Sequence, residues 1–204
     1  MIDRYIIKIF RPFLELVASL FYKTGVNANY ISLFGLSLSF LSFYMILKDL
    51  IIIALFIFLL GRILDGVDGI VANKTGITEF GGFLDIVFDF ISYSLVPLAF
   101  ILKDNSNAIF GSILLATFFG TSSTFFAIAI FEKNKFIKKN PEKSFFHVGG
   151  FMGGTITIFF LSLMFIFTEN FNLIALIFSV LCIICTIERI FYAYIILDKD
   201  KDLL

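Results

Sequence analysis

Long apolar runs dominate this sequence of 204 residues and restrict what it can fold into. Each run of about 20 residues is long enough to cross a hydrocarbon core of about 30 Å as an α-helix. Six such runs are present, at residues 30–47, 50–72, 80–102, 109–131, 148–167 and 171–196. Because hydrophobic residues make up 59% of the chain and charged residues only 16%, an ordinary soluble globule is excluded. The sequence therefore predicts an all-α integral membrane protein with six transmembrane helices.

The first residues form a different pattern, MIDRYIIKIFRPFLELVASLFYK. Arg4, Lys8 and Arg11 fall at spacings of four and three among apolar residues, which favours an amphipathic helix lying on the membrane surface. A cleavable signal peptide is the alternative. Pro12, Glu15 and the lack of an uninterrupted apolar core with a small-residue cleavage site disfavour it.

The positive charges indicate an orientation. With the N-terminus inside, all of the 16 lysines and arginines except Lys48 and Lys103 fall on the inner side. This asymmetry predicts a multi-pass inner-membrane protein whose two termini face the cytoplasm. We expect an interfacial helix at 1–28, a six-helix membrane domain at 29–197 and a cytoplasmic tail at 198–204. The lysine-rich loop at 132–143 is assigned to contact with the inner leaflet, and no nucleic-acid-binding pattern is present.

Four aspartates stand where the neighbouring residues suggest lipid. An aspartate at mid-membrane costs roughly 2.5 to 3.5 kcal/mol, so these side chains need compensating partners. Asp65 and Asp68 are three residues apart, and Asp85 and Asp89 are four apart, so each pair shares one face of a helix. An antiparallel hairpin of spans two and three would gather the four carboxylates near the cytoplasmic surface.

Four neighbouring carboxylates repel one another unless cations neutralise them. Oxygen-only ligands point to Mg²⁺, Mn²⁺ or Ca²⁺, and two such ions about 3.5 to 4 Å apart form a clamp for displacement at phosphorus. Small residues on both helices would leave room for a phosphate or nucleotide. These are Gly66, Gly69, Ala72, Gly81 and Gly82.

Two other interpretations of the acids stay open. They could form structural salt bridges with Arg62, Lys74 or Arg189, although three bases do not match four acids. They could also mark an ion or proton transport pathway. Against transport, the acids cluster at one end of two spans, and no second acidic layer continues across the membrane.

The spacing of these residues resembles the signature of the CDP-alcohol phosphotransferases, Asp-x-x-Asp-Gly-x-x-Ala-Arg followed by Gly-x-x-x-Asp-x-x-x-Asp. Here the chain reads DGVDGIVAN from Asp65 to Asn73 and GGFLDIVFD from Gly81 to Asp89. The motif arginine is replaced by Asn73, and the spacer is one residue short. Arginine brings a charge and a planar pair of donors to phosphate that asparagine lacks, so an inactive family member is a further alternative.

The resemblance implies a phospholipid-biosynthetic transferase. Such an enzyme moves a phosphatidyl group from a CDP-linked donor, usually CDP-diacylglycerol, to an alcohol and releases CMP. By this resemblance Asp65, Asp68 and Asp85 are metal ligands, and Asp89 is a metal ligand that also serves as general base. Two ions, Mg²⁺ or Mn²⁺, are expected.

The resemblance also assigns the nucleotide-binding residues and the partners. Asn29 and Ser32 are similar to an Asn-x-x-Thr/Ser element that lines the nucleotide pocket, and Lys74 is a candidate substitute for the lost arginine. The expected substrate-binding residues are Asn29, Ser32, Gly69, Ala72, Asn73, Lys74 and Gly81. A homodimer in contact with membrane lipids is expected. Glycerol 3-phosphate is the favoured acceptor, with Arg62 and Arg189 as candidates to receive its phosphate or, equally, as interfacial anchors.

Three features at the C-terminal end receive structural interpretations. Cys182 and Cys185 are interpreted as two small apolar residues of a membrane helix. The repeated glycines at 149–154 favour close helix packing or a dimer seam, and the alternative is space for a bulky substrate. His147 is interpreted as a surface residue.

Overall fold

The computed structural model describes residues 2–136 and 153–198, and these residues form α-helices and short 3₁₀ turns without any strand. The helices are α1 (Ile2–Lys23), α2 (Ala28–Leu47), α3 (Ile51–Thr75), α4 (Glu79–Lys103), α5 (Ala108–Phe136), α6 (Gly154–Ile166) and α7 (Phe171–Asp198). The predicted all-α class is confirmed. His147, the glycines at 149 and 150, most of the lysine-rich loop and the tail from residue 199 lie outside the described residues.

Local sequence signals set the helix ends that later form the site. Asn27 caps α2, because its Oδ1 accepts a hydrogen bond from the Asn29 amide at 3.0 Å. Thr78 caps α4 in the same way, with its Oγ1 accepting from the Gly81 amide at 3.0 Å. Gly76 ends α3 with a φ of +117°, a conformation that favours glycine. The short turn from α3 to α4 therefore makes the predicted hairpin.

In the described part of the chain, four stretches are long and apolar enough to cross a membrane. They are Ala28–Leu47, Glu79–Lys103, Asn105–Phe131 and Thr168–Ile195. α3 fails this criterion because Arg62, Asp65 and Asp68 fall within its apolar run, and the described part of α6 has only 13 residues. The chain is thus a multi-pass membrane protein, while the predicted count of six spans stays a prediction.

Phenylalanine rings build much of the larger of two cores. Phe58, Phe100, Phe171 and Phe178 are almost fully buried and come from α3, α4 and α7. The Phe100 and Phe171 ring centroids lie 5.2 Å apart, a distance at which aromatic pairs attract. Around this core α2 packs on α3 and α4, and α5 packs on α4 and α7. These contacts fix α3 and α4 relative to the other spans.

A smaller core joins α1 to α2 and α3. Ala18 is fully buried in it, and Leu14 packs so tightly on α3 that a Cβ atom at Gly66 would lie 3.1 Å from a Leu14 methyl carbon. Apolar side chains on the other faces of α1, such as Phe13 and Leu16, are exposed. The helix itself is present, and its place at the membrane surface stays a prediction.

Candidate active site

Three aspartates meet where α3 ends and α4 begins. One carboxylate oxygen each from Asp65, Asp68 and Asp85 lies within 4.8 Å of the other two. Asp68 is buried with 3% exposure, Asp65 is half-buried and Asp85 is exposed. The hairpin thus gathers three of the four predicted carboxylates, from two helices, on one small volume.

The buried member of this group is held from a third helix. The hydroxyl of Ser32 on α2 donates a hydrogen bond to Oδ2 of Asp68. Ser32 also lies within hydrogen-bond distance, 3.2 Å, of the Ala28 carbonyl of its own helix. The Ser32 hydroxyl therefore orients the Asp68 carboxylate and gives one of its oxygens a hydrogen-bond donor.

Asp89 lies one helical turn after Asp85 on α4, and its hydrogen-bond partners differ from those of Asp68. Its Oδ1 accepts a hydrogen bond from Nη1 of Arg62, and its Oδ2 accepts one from the Tyr93 hydroxyl at 3.2 Å. The same Arg62 nitrogen lies 3.8 Å from Oδ1 of Asp65. Arg62 is buried among the acids, so the salt-bridge interpretation applies to Asp89 and partly to Asp65. Because Arg62 is buried and paired, it is neither an anchor at the membrane interface nor an open binding site for the phosphate of an acceptor.

The donor set suits a hard divalent cation. Three carboxylates on two helices offer only oxygen ligands, the kind that Mg²⁺ and Mn²⁺ prefer. Asp89 is not part of this group, and the Arg62 guanidinium beside it already supplies a positive charge. The residues present therefore fit one ion at Asp65, Asp68 and Asp85 and do not fit a second ion on Asp89 as it stands.

A cavity of about 480 Å³ opens beside the carboxylates between α2, α3 and α4, and we call it the α2–α4 cavity. Most of the predicted substrate-binding residues line it, and these are Asn29, Ser32, Gly69, Ala72, Asn73 and Gly81. Lys74 is not among the described residues that line it. Its ammonium lies instead 5.8 Å from the centre of the Tyr22 ring. The structure thus brings six of the seven residues together.

Two glycines keep this cavity open in different ways. A Cβ atom at Gly81 would lie 2.9 Å from the Thr78 hydroxyl and 3.1 Å from Oδ1 of Asn29, so the helix cap and the cavity wall both require glycine there. A Cβ atom at Gly69 would meet nothing within 4 Å and would project into open space. Asn73 folds back on its own helix, donating from Nδ2 to the Gly69 carbonyl at 2.7 Å.

A second cavity of about 290 Å³ lies on the other side of the acids, and we call it the α4–α7 cavity. Asp85 lines both cavities, and Asp89 lines this one. Arg189 reaches it from α7, buried at 6% exposure, with Nη1 donating to the Thr121 carbonyl at 2.8 Å. Its guanidinium also lies 5.6 Å from the centre of the Phe125 ring. This cavity therefore combines two carboxylates, one cation and mostly apolar walls.

Comparison with known proteins identifies the relationship. The model of the CDP-alcohol phosphatidyltransferase family matches residues 26–188. The chain belongs to this family. An inner membrane protein of Escherichia coli (strain K12), YnjF, is 36% identical over 203 residues, which is 98% of each chain. An uncharacterized protein of Aquifex aeolicus (strain VF5) is 35% identical over 122 residues, or 56% of this chain and 62% of its own length.

CDP-alcohol phosphatidyltransferases are phosphotransferases, so the predicted enzyme class is confirmed. The predicted use of a divalent metal also agrees with the family and with the group of Asp65, Asp68 and Asp85. CDP-alcohol substrates and membrane lipids are the partners that membership of the family implies.

Sequence reasoning missed several residues of this phosphatidyltransferase site. Tyr93 stands four residues after Asp89, a spacing that places both on one helix face and was a usable signal. Thr121 and Phe125 show the same spacing on α5, but no acidic or basic neighbour marks them. Cys182 and Cys185 are buried as expected, and they also line the α4–α7 cavity, as do Gly153 and Gly154. The alternative that these glycines clear space for a substrate gains support.

Proposed function

We propose that the chain transfers a phosphatidyl group from CDP-diacylglycerol to a small alcohol and releases CMP. The observation that carries this proposal is the position of Asp85, which belongs to the group of three carboxylates and lines both cavities. A transfer between two substrates needs such an arrangement, with one substrate on each side of the reacting phosphorus. We place the donor in the α2–α4 cavity and the acceptor in the α4–α7 cavity.

The walls of the α2–α4 cavity suit a nucleotide. Its volume of about 480 Å³ lies in the range of ordinary small-molecule pockets. Gly69 and Ala72 offer flat helix surface, and the side chains of Asn29 and Asn73 offer donors and acceptors for a base, sugar or phosphate. Asn73 is the residue at the position of the motif arginine, so this donor site has one positive charge fewer than the signature.

Asp65, Asp68 and Asp85 are the proposed ligands of Mg²⁺ or Mn²⁺. A cation bound there supplies charge neutralisation to the diphosphate of the donor and to the departing CMP. The family resemblance implies two ions with Asp89 as a further ligand. The present proposal requires only the ion at the three grouped carboxylates, since Asp89 pairs with Arg62.

Asp89 is the proposed general base. It lines the α4–α7 cavity and lies one helical turn from Asp85, so its carboxylate faces the space assigned to the acceptor hydroxyl. During transfer the acceptor oxygen forms a bond to phosphorus, the bond from phosphorus to the CMP oxygen breaks, and the hydroxyl proton passes to Asp89. Arg62 and Tyr93 orient this carboxylate through its two oxygens.

A phosphate-bearing acceptor such as glycerol 3-phosphate fits the α4–α7 cavity. Arg189 is buried at its wall and anchored by Thr121, which fixes its donors in space. A guanidinium can bind a phosphate through two parallel hydrogen bonds. With about 290 Å³ the cavity is small, which favours a compact alcohol over a lipid.

The proposed orientation places both termini and the aspartates at the cytoplasmic face of the inner membrane. The asymmetry of lysines and arginines supports it. In this orientation the acyl chains of the donor stay in the bilayer while its nucleotide occupies the α2–α4 cavity. A homodimer is proposed from the family relationship alone.

The activity is tested with purified protein in detergent, CDP-diacylglycerol and a panel of radiolabelled alcohols that includes glycerol 3-phosphate, serine and inositol phosphate. We expect CMP release that requires one alcohol and Mg²⁺ or Mn²⁺ and that stops with a chelator. Absence of CMP release with every alcohol would refute the proposed reaction. Release with serine but not with glycerol 3-phosphate would refute only the acceptor assignment.

A further inference from the structure

Arg62 is a buried cation in the middle of the carboxylates. Only 5% of its side chain is exposed. Its Nη1 forms an ion pair with Asp89 on α4 and lies 3.8 Å from Asp65 on its own helix α3. One guanidinium nitrogen therefore faces two carboxylates that belong to two different helices.

Neighbouring side chains keep this guanidinium in place. Its Nη2 lies 3.5 Å from the Ser39 hydroxyl, and its central carbon lies 5.2 Å from the Tyr93 ring centre and 5.9 Å from that of Phe58. Aromatic rings attract a cation at such distances. Phe58 is fully buried, and the Tyr93 hydroxyl bonds the same Asp89. Arg62 cannot turn outward without breaking these contacts and leaving Asp89 without its cation.

A second divalent cation would compete with Arg62 for the same oxygens. Such an ion would have to bridge Asp89 and one carboxylate of the group of three, and Arg62 already contacts Asp89 and lies near Asp65. The Arg62 guanidinium and an ion bound to the same carboxylate would repel each other strongly in a partly buried site. The guanidinium and one divalent cation already offset three of the four negative charges.

We propose that Arg62 takes the place of a second divalent cation, so that the protein without substrates binds a single ion at Asp65, Asp68 and Asp85. Arg62 is then a positioning residue, which holds Asp89 at the edge of the α4–α7 cavity and outside the ion's ligands. This inference rests on the proposed function, since it takes the cation site at the three grouped carboxylates as given.

The number of bound ions tests the inference without any measurement of activity. Purified full-length protein in detergent is titrated with Mn²⁺ alone, and the free ion is followed by its electron paramagnetic resonance signal. We expect one tightly bound Mn²⁺ per wild-type chain and two per Arg62→Met chain, because methionine removes the charge and keeps an apolar stem of similar length. The matched control Arg62→Lys retains the charge and is expected to bind one.

Two results would overturn the inference. The first is two tightly bound Mn²⁺ ions per wild-type chain, and the second is a single ion in a folded Arg62→Met chain. If Arg62→Met does not fold, Asp89→Asn decides, since the asparagine oxygen still accepts from Arg62, its nitrogen can donate to the Tyr93 oxygen, and an amide is a poorer ligand than a carboxylate. We expect this variant to retain one Mn²⁺ with an affinity within about twofold of wild type. A tenfold weaker affinity would show that Asp89 is a ligand and would refute the inference.

The titration also separates this inference from the proposed function. A wild-type chain that binds no Mn²⁺ would refute the proposed cation site and the inference together. Two ions in the wild type would refute only the inference and would leave the proposed transfer reaction supported.

Discussion

Gly35 of α2 and Gly61 of α3 cross with their backbones in contact. A Cβ atom at Gly61 would lie 3.2 Å from the carbonyl oxygen of Gly35, and one at Gly35 would lie 3.3 Å from that of Gly61. Small residues allow membrane helices to approach this closely. Ser32 lies about one turn from Gly35 and Asp68 about two turns from Gly61, so the crossing sets the distance at which Ser32 reaches Asp68. Helix packing and site geometry therefore depend on the same contact.

Enlarging one of these glycines is expected to destabilise the protein and to loosen the site. In Gly61→Val the new methyl groups would overlap the α2 backbone, at a cost of about 1 to 3 kcal/mol. Thermal unfolding of the purified protein in detergent measures the loss. The control is Gly82→Ala, whose new methyl group would meet nothing within 4 Å, so its stability should stay equal or rise. Equal midpoints for Gly61→Val and wild type would contradict this role of the crossing.

The meeting of the aspartates was predictable, and the role of Arg62 was not. Asp65, Asp68 and Asp85 follow from helical spacing and a short turn, both of which are local properties of the sequence. Arg62 lies one turn before Asp65, at a position equally suited to reach lipid headgroups or to point inward. Its direction is decided by contacts with Phe58 and Tyr93, which depend on how α3 packs on α4.

The count of six spans stays a prediction for a similar reason, because local and distant properties of the sequence conflict in α3. The apolar run of the second predicted span contains Arg62, Asp65 and Asp68, so hydropathy alone does not decide whether α3 crosses the membrane. The α4–α7 cavity was not predicted at all. It joins Asp89 of α4 to Arg189 of α7, and a separation of one hundred residues leaves no periodic signal.

Ser32 is expected to support cation binding through Asp68. In Ser32→Ala the Asp68 carboxylate loses the hydrogen bond that orients it, and loss of such a partner typically weakens a metal site about tenfold or more. The measurement is the Mg²⁺ concentration that gives half-maximal CMP release. The control is Ser37→Ala on the same helix, because the Ser37 hydroxyl bonds only its own backbone among the described contacts. Equal Mg²⁺ requirements for both variants would exclude the proposed role of Ser32.

Restoring the motif arginine is expected to strengthen donor binding. Asn73 lines the α2–α4 cavity with an uncharged amide that folds back on Gly69, so Asn73→Arg would add a guanidinium at the wall assigned to the diphosphate. The KM for CDP-diacylglycerol should fall by about tenfold, or about 1.4 kcal/mol. The matched variant Lys74→Ala should change this KM little, since Lys74 lies over the Tyr22 ring. A larger effect at Lys74 would mean that its ammonium already serves the donor phosphates.

Arg189 is expected to contribute to binding of the acceptor and not to binding of the donor. Arg189→Gln removes the guanidinium and its charge from the α4–α7 cavity but keeps a polar side chain that donates hydrogen bonds. If a phosphate binds there, the KM for glycerol 3-phosphate should rise about tenfold or more while the KM for the donor stays unchanged. Steady-state assays that vary each substrate separately make the distinction. A parallel rise in both KM values would indicate a general structural effect and would contradict the proposed acceptor site.

Asp89 is expected to be required for turnover but not for folding. In Asp89→Asn the amide oxygen still accepts the hydrogen bond from Arg62 and the amide nitrogen can donate to the Tyr93 oxygen, but the side chain no longer takes a proton. We therefore expect kcat to fall by about 10² to 10⁴ and the unfolding midpoint to fall less than in Asp89→Ala. Asp89→Ala differs, because it leaves the buried Arg62 without its negative charge and also without any hydrogen-bond acceptor at this position, and it should cost about 3 to 5 kcal/mol of stability. Measuring CMP release and thermal unfolding on both variants separates the chemical role from the structural one. An Asp89→Asn enzyme with wild-type kcat would show that another group accepts the proton.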